Sequence, residues 1–128
     1  MRRAVLASIG FLAAAGIASA ETLDGRWSLI AEECGAEISD GILTIDTAAG
    51  TLTYWESLCT VIELIPIGTM ELVWQASMSC SGEGETRQRD ALLAIDIPLD
   101  GVGTPRLVEI DMADGFVISR TFCGAAGK

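Results

Sequence analysis

Met70-Glu71-Leu72-Val73-Trp74-Gln75-Ala76-Ser77-Met78-Ser79-Cys80 alternates apolar and polar side chains through most of its length. Successive residues of a strand point to opposite faces. Met70, Leu72, Trp74, Ala76, Met78 and Cys80 therefore share one face, and Glu71, Gln75, Ser77 and Ser79 share the other. The run predicts a half-buried strand with one wet face, as in an antiparallel sheet. No stretch after residue 20 carries a sustained helical periodicity, so the fold class predicted is all-β.

The same pattern recurs on either side. Leu23, Trp27, Leu29 and Ala31 give an early strand, and residues 42–46 and 52–56 flank Ala48-Ala49-Gly50 as a hairpin. Residues 60–65 follow, ended by Pro66 and Gly68. After Ser81-Gly82-Glu83-Gly84, residues 85–97 supply a long strand whose second half buries Leu93, Ile95 and Ile97. A loop rich in Gly and Pro covers 98–105. Val108, Ile110 and Met112 then pair across Asp114-Gly115 with Phe116, Ile118 and Phe122. Seven or eight short strands with turns roughly every 8–12 residues predict a small antiparallel meander barrel, with a compact sandwich as the alternative. The barrel is preferred because closure leaves no edge strand unpaired. Trp27 and Trp74 fall in inward phase, while Tyr54 and Trp55 compete for the inside.

Arg2 and Arg3, the apolar run 4–17 and the small residues Ala18-Ser19-Ala20 read as a secretory signal peptide over 1–20. The apolar run is short of the ~20 residues that a bilayer core requires. The expected product begins at Glu21 and is periplasmic or secreted, with one β-barrel-like domain over 21–123 and a flexible tail over 124–128. No cysteine follows the cleavage site, so neither a lipid anchor nor membrane insertion after leader removal is expected. The sequence fixes no oligomeric state.

The chain carries four cysteines, Cys34, Cys59, Cys80 and Cys123, an even number that reads as two disulfides in a small exported domain. Their spacing contains no close pair and the chain has no histidine, so no metal site is expected. Of the three connectivities, Cys59 with Cys80 and Cys34 with Cys123 is the pairing predicted. The first link spans a hairpin reversing near Gly68 and needs a β-bulge to align. The second fits best if residues 51–65 form one long bent strand.

Net charge is −10, and because the leader holds two of the eight basic residues and none of the eighteen acidic ones, the remainder carries −12. Nucleic acid and anionic membrane surfaces are therefore poor partners. With no histidine, no asparagine and a single lysine at position 128, mechanisms built on Ser-His, Cys-His, histidine-bound metal or a buried lysine are excluded. A carboxylate pair, as in glycoside hydrolysis, is the remaining catalytic option, with Glu56, Glu63, Glu83, Glu85 and Asp90 as the available groups. Nothing in their spacing separates them from wet-face carboxylates, and no catalytic residue is assigned.

Cys80-Ser81-Gly82-Glu83-Gly84-Glu85 admits two readings. Its carboxylates and inward-turned backbone could hold Ca²⁺, or its glycines could simply allow the positive φ of a tight hairpin. The EF-hand spacing is not met, so the hairpin is expected and no cofactor is assigned. Arg87 and Arg89 continue the alternation from Glu85 onto the face of Leu93 and Ile95. They are expected to pair with Glu56, Glu63 or Glu71, with a bound anion as their other use. Trp55, turned outward beside Glu56, is the first candidate for a partner contact. The candidate binding residues are thus Trp55, Glu56, Glu83, Glu85, Arg87 and Arg89.

Gly25-Arg26-Trp27, with Arg120 near the end, resembles the Gly-x-Trp and closing arginine of calycin-type barrels, which include lipocalins and small periplasmic inhibitors of secreted metalloproteases. That resemblance implies an inhibitor or a carrier of a small hydrophobic ligand. Trp27-x₆-Cys34, Tyr54-Trp55-Glu56-Ser57-Leu58-Cys59, Ser79-Cys80-Ser81-Gly82-Glu83-Gly84-Glu85 and Arg120-Thr121-Phe122-Cys123 are similar to a group of small exported alphaproteobacterial proteins without assigned activity. The second resemblance implies the four-cysteine framework and no mechanism.

The function expected first is a non-catalytic exported binding module, directed at an envelope protein or at a secreted enzyme that it inhibits. A hydrophobic carrier and a carboxylate-based hydrolase are the alternatives. An internal void above ~300 Å³ would favour the carrier, and a filled interior with an exposed apolar patch would favour the binder.

Overall fold

The computed structural model describes residues 21–37 and 39–125; the expected signal peptide and residues 126–128 of the expected tail lie outside them. Eight antiparallel strands run in chain order around a closed barrel: β1 (Gly25–Ser28), β2 (Ile42–Asp46), β3 (Thr51–Tyr54), β4 (Ser57–Pro66), β5 (Val73–Gly82), β6 (Glu85–Asp96), β7 (Arg106–Asp111) and β8 (Val117–Gly124). Each strand pairs with its successor, and β8 returns to β1 through Trp27 opposite Phe122. The meander barrel is thus the fold, with Gly124 closing β8 rather than opening a tail.

The alternation that predicted β5 is realised from Trp74 onward: Trp74, Ala76, Met78 and Cys80 point into the core. They meet Trp27, Leu43, Ile45, Leu52, Cys59, Ala91, Leu93 and Leu107 in one cluster. Burial of side chains this size is the main source of stability in a domain of this length. Trp27 packs on Phe122 with ring centres 4.9 Å apart, fastening the seam between first and last strands. Gly25 makes that seam possible. It holds φ +133°, and a Cβ there would come within 2.6 Å of both the Gly124 carbonyl oxygen and the Phe122 ring.

Both disulfides are those predicted. Cys59 and Cys80 are directly opposed on β4 and β5, and the register between these strands shifts between Val61 and Glu63, which is the required bulge. The reversal occupies 67–72 rather than centring on Gly68. Cys34 joins Cys123 by a different route from the one expected. Residues 51–65 are not one bent strand: they turn back at Trp55-Glu56, with Tyr54 opposite Ser57. Instead, the connection 29–41 leaves β1 and doubles back, with a 3₁₀ turn over Ala31–Gly35 that packs against β1 and β8. Arg26 ties it down, donating from Nη1 to the Cys34 carbonyl at 3.1 Å and from Nη2 to the Ala36 carbonyl at 2.6 Å.

Several expected phases are corrected. Leu29 and Ala31 lie beyond β1 and are exposed, because the chain leaves the sheet at Ser28. Met70 lies in the 67–72 loop and Ile97 just past β6, and both are exposed. On β7 the inward residues are Leu107 and Glu109, not Val108 and Ile110. Pairing Leu107 with Ile95 and Glu109 with Leu93 sets that phase, and Met112 and Phe116 are left in the exposed turn.

The up-and-down course gives the barrel two poles. Residues 21–24 and 47–50 and the loops 67–72 and 97–105 gather at one, called here the loop pole. The turn pole carries Trp55-Glu56, Glu83-Gly84 and residues 112–116.

Candidate functional site

Arg87 and Arg89 point into the barrel at its turn-pole end, as their phase with Ala91 and Leu93 requires. A cation carried inside needs a carboxylate beside it. The partners are not Glu56, Glu63 or Glu71: Glu56 and Glu71 lie in exposed turns, and Glu63 is exposed on β4 opposite Ser77. Arg89 is held instead by β7 and β3. Its Nε donates to Asp111 Oδ2 at 2.8 Å, its Nη2 lies 2.5 Å from Glu109 Oε2, and its Nη1 donates to the Tyr54 hydroxyl at 3.0 Å. Tyr54 in turn donates to Glu109 Oε2 at 2.9 Å. Arg120 on β8 donates from Nη1 to Glu109 Oε1 at 2.6 Å. Both guanidinium carbons stand 5.7 Å from the centre of the Tyr54 ring, within cation–π range. Tyr54 therefore wins the inside from Trp55.

This cluster fixes the protonation of its members. Burial alone would raise the Glu109 carboxyl, but the adjoining Arg89 and Arg120 outweigh it and hold the group below the usual carboxylate range. The Asp111 carboxyl is lowered by its hydrogen bond from Arg89 and by the Ala113 backbone N–H. Burial, then the Glu109 charge, pushes the Tyr54 phenol well above its ordinary value. The cluster is therefore a charged plug of fixed protonation at neutral pH. It leaves one buried donor without a partner, Nε of Arg120.

Four of the six candidate residues meet at the rim above the plug. Glu56, Glu83, Glu85 and Arg87 line a cavity of about 320 Å³ with Ser57 and Gly82. Gly82 is what brings the two turns together, since a Cβ there would stand 2.4 Å from the Glu56 carbonyl oxygen. The Glu56 and Glu83 carboxyls come within hydrogen-bonding reach, and Glu83 raises the Glu56 pKa through that bond and through like charge. Trp55 is half exposed beside them and does not line the cavity. Arg89 lies deeper, in the plug. Among the described residues no group of three or more Cys, Asp or Glu side chains is placed to hold a metal ion.

Glu109 and Asp111 escaped the sequence reading, and Tyr54 and Arg120 entered it without a role in this cluster, yet one signal pointed to the two carboxylates. Two inward arginines on β6 demand inward carboxylates on a neighbouring strand, and Glu109 and Asp111 alternate with Leu107 on β7.

The loop pole has the opposite character. An apolar crevice of about 280 Å³ opens there between Trp27, Leu72, Ile95, Ile97, Pro105 and Phe122. Met70, Leu99 and Val102 are exposed on the loops that flank it. A further apolar strip runs up the outer wall, where Leu92 faces Ile110 and Ile110 faces Val117. Among the described residues no helix is long and apolar enough to cross a membrane. No protein-family model, curated protein or solved structure matches this chain.

Proposed function

We propose that this chain is an exported, non-catalytic binding module whose target is an envelope protein or a secreted enzyme that it inhibits. One observation carries the reading. The barrel interior is filled by Trp27, Trp74, Met78, Leu93 and their neighbours and is plugged by the Arg89–Glu109–Arg120 cluster, while large apolar side chains crowd the outside at the loop pole and along one wall. Soluble monomers rarely gather exposed apolar surface in this way unless something covers it. Two disulfides and the leader-like residues 1–20 support an oxidising compartment outside the cytoplasm.

The carrier reading draws on the loop-pole crevice, because the cavity of about 320 Å³ lies at the rim among Glu56, Glu83, Glu85 and Arg87 and is not an apolar internal void. At about 280 Å³ that crevice falls just under the roughly 300–1,000 Å³ of most ligand sites. Its size suits one side chain of a partner better than an enclosed ligand.

Affinity capture from periplasmic extract and culture medium tests the proposal, with oxidised protein compared against reduced and alkylated protein. Recovery of the same partner by the oxidised form alone is expected. Equal recovery by both forms would overturn a folded binding surface.

A further inference from the structure

We propose that the loop pole is the binding surface and that its occupant is a protein segment seating one large apolar side chain in the Trp27–Phe122 crevice, with Lys or Arg on either side. This inference rests on the binding-module reading above and adds where the partner binds and what chemistry it presents.

The crevice asks for an apolar group. Its walls are mainly apolar, Trp27, Leu72, Ile95, Ile97, Pro105 and Phe122, with Thr22 and Asp24 as the polar members, and the one indole donor among them is already used, because Trp27 Nε1 donates to the Leu23 carbonyl at 2.9 Å. Thr22 Oγ1 and Asp24 Oδ1 are also engaged, with the Glu71 carbonyl and the Thr47 N–H, so a neutral polar guest would lose its water for little return. The walls are tied together before anything binds. Thr22 Oγ1 donates to the Glu71 carbonyl at 3.4 Å, linking the N-terminal turn to the 67–72 loop. Around this seat, Met70, Leu99 and Val102 stand out from the two long loops, so an apolar anchor would be flanked by further apolar contact.

The charges around the pole select the flanks. Asp24, Asp46, Glu71, Asp96 and Asp100 are carried by its turns, loops and strand ends, against two cations there among the described residues, Arg106 and Arg26, the second turned onto the Cys34 and Ala36 carbonyls. Asp24 lines the crevice itself. Basic residues on either side of the anchor would meet this ring, and acidic ones would be repelled. The same ring opposes an anionic lipid surface and matches a basic protein segment.

Fluorescence anisotropy against the oxidised protein provides the test, using short labelled peptides with Leu, Phe or Trp between lysines, their glutamate-flanked counterparts, and a lysine peptide lacking the apolar anchor. The lysine-flanked, anchored peptides are expected to bind, and to weaken as salt is raised. Ile97→Asp should weaken them about tenfold or more, and Val117→Asp on the outer wall should leave them unchanged. Joint reversal by Asp96→Lys and Asp100→Lys touches only exposed side chains and should shift preference toward the glutamate-flanked series. Equal binding of the two series, binding without an anchor, absence of any binding, or sensitivity to Val117→Asp in place of Ile97→Asp would each overturn the inference. Cosedimentation with phosphatidylcholine vesicles that is abolished by Leu99→Asp would assign the pole to a lipid surface and overturn it as well. A captured partner whose recovery is untouched by Ile97→Asp and by the double reversal leaves the binding module standing and removes this site. Failure of both capture and peptide binding removes both.

Discussion

Glu109 Oε1 accepts a 2.6 Å hydrogen bond from Nη1 of Arg120 inside the barrel, and Oε2 of the same carboxylate receives Arg89 and Tyr54. One buried carboxylate thus bridges two guanidinium groups, with Asp111 as the second partner of Arg89. Glu109→Gln leaves Arg120 without a carboxylate and Arg89 with Asp111 alone, and should cost about 3–5 kcal/mol, the usual penalty for breaking a buried ion pair from one side. Replacing the pair together, as Glu109→Leu with Arg120→Met, should cost less than the sum of the single changes. Urea denaturation of the wild type, Glu109→Leu, Arg120→Met and the double variant measures the coupling, and strict additivity would contradict it.

The same carboxylates set the acid limb of stability. Glu109 and Asp111 titrate below their ordinary range in the folded protein. Their contribution is therefore complete above the unfolded values and is lost as pH falls through the depressed native ones. The share of the urea midpoint due to Glu109 and Asp111 should be constant from neutrality to about pH 5 and then decline, and Glu109→Gln should flatten that decline.

Glu56 behaves in the opposite sense. Glu83 raises its pKa, so the charged form is disfavoured by folding and stability drops as pH rises past the ordinary carboxylate range. Glu56→Gln should raise the melting temperature at neutral pH and leave it unchanged in acid, where the wild-type carboxyl is already protonated.

The two bridges should differ in weight. Cys34 and Cys123 are separated by 89 residues and Cys59 and Cys80 by 21. On the chain-entropy account these loops contribute about 4–5 and about 3 kcal/mol. Paired Cys→Ser variants, compared by chemical denaturation, should follow that order.

If residues 1–20 are a leader, protein recovered outside the cytoplasm of an expression host should begin at Glu21 by intact mass. Retention of Met1 would refute export.

β5 and the cysteine framework were legible because their signals are local. Trp74, Ala76, Met78 and Cys80 alternate without interruption, and an even cysteine number in a short chain has few solutions. β7 was not legible, because Val108, Ile110 and Met112 make a more apolar face than Leu107, Glu109 and Asp111. What reverses the choice is non-local: the pairing with β6 and the two arginines that neutralise Glu109 from β6 and β8. The site divides in the same way. Glu56, Glu83, Glu85 and Arg87 could be chosen by type, whereas their meeting around one cavity depends on two turns 26 residues apart touching at Gly82. The loop-pole crevice left no local trace, since Trp27, Leu72, Ile97 and Phe122 come from separate strands and loops.

Because β1 and β8 lie side by side, both extremities of the described chain emerge at the loop pole. A fusion partner or immobilisation handle attached at either extremity would crowd the apolar seat and weaken whatever enters it. An insertion in the 112–116 turn sits at the far end of the molecule, and a chain tethered there would present its apolar face unobstructed.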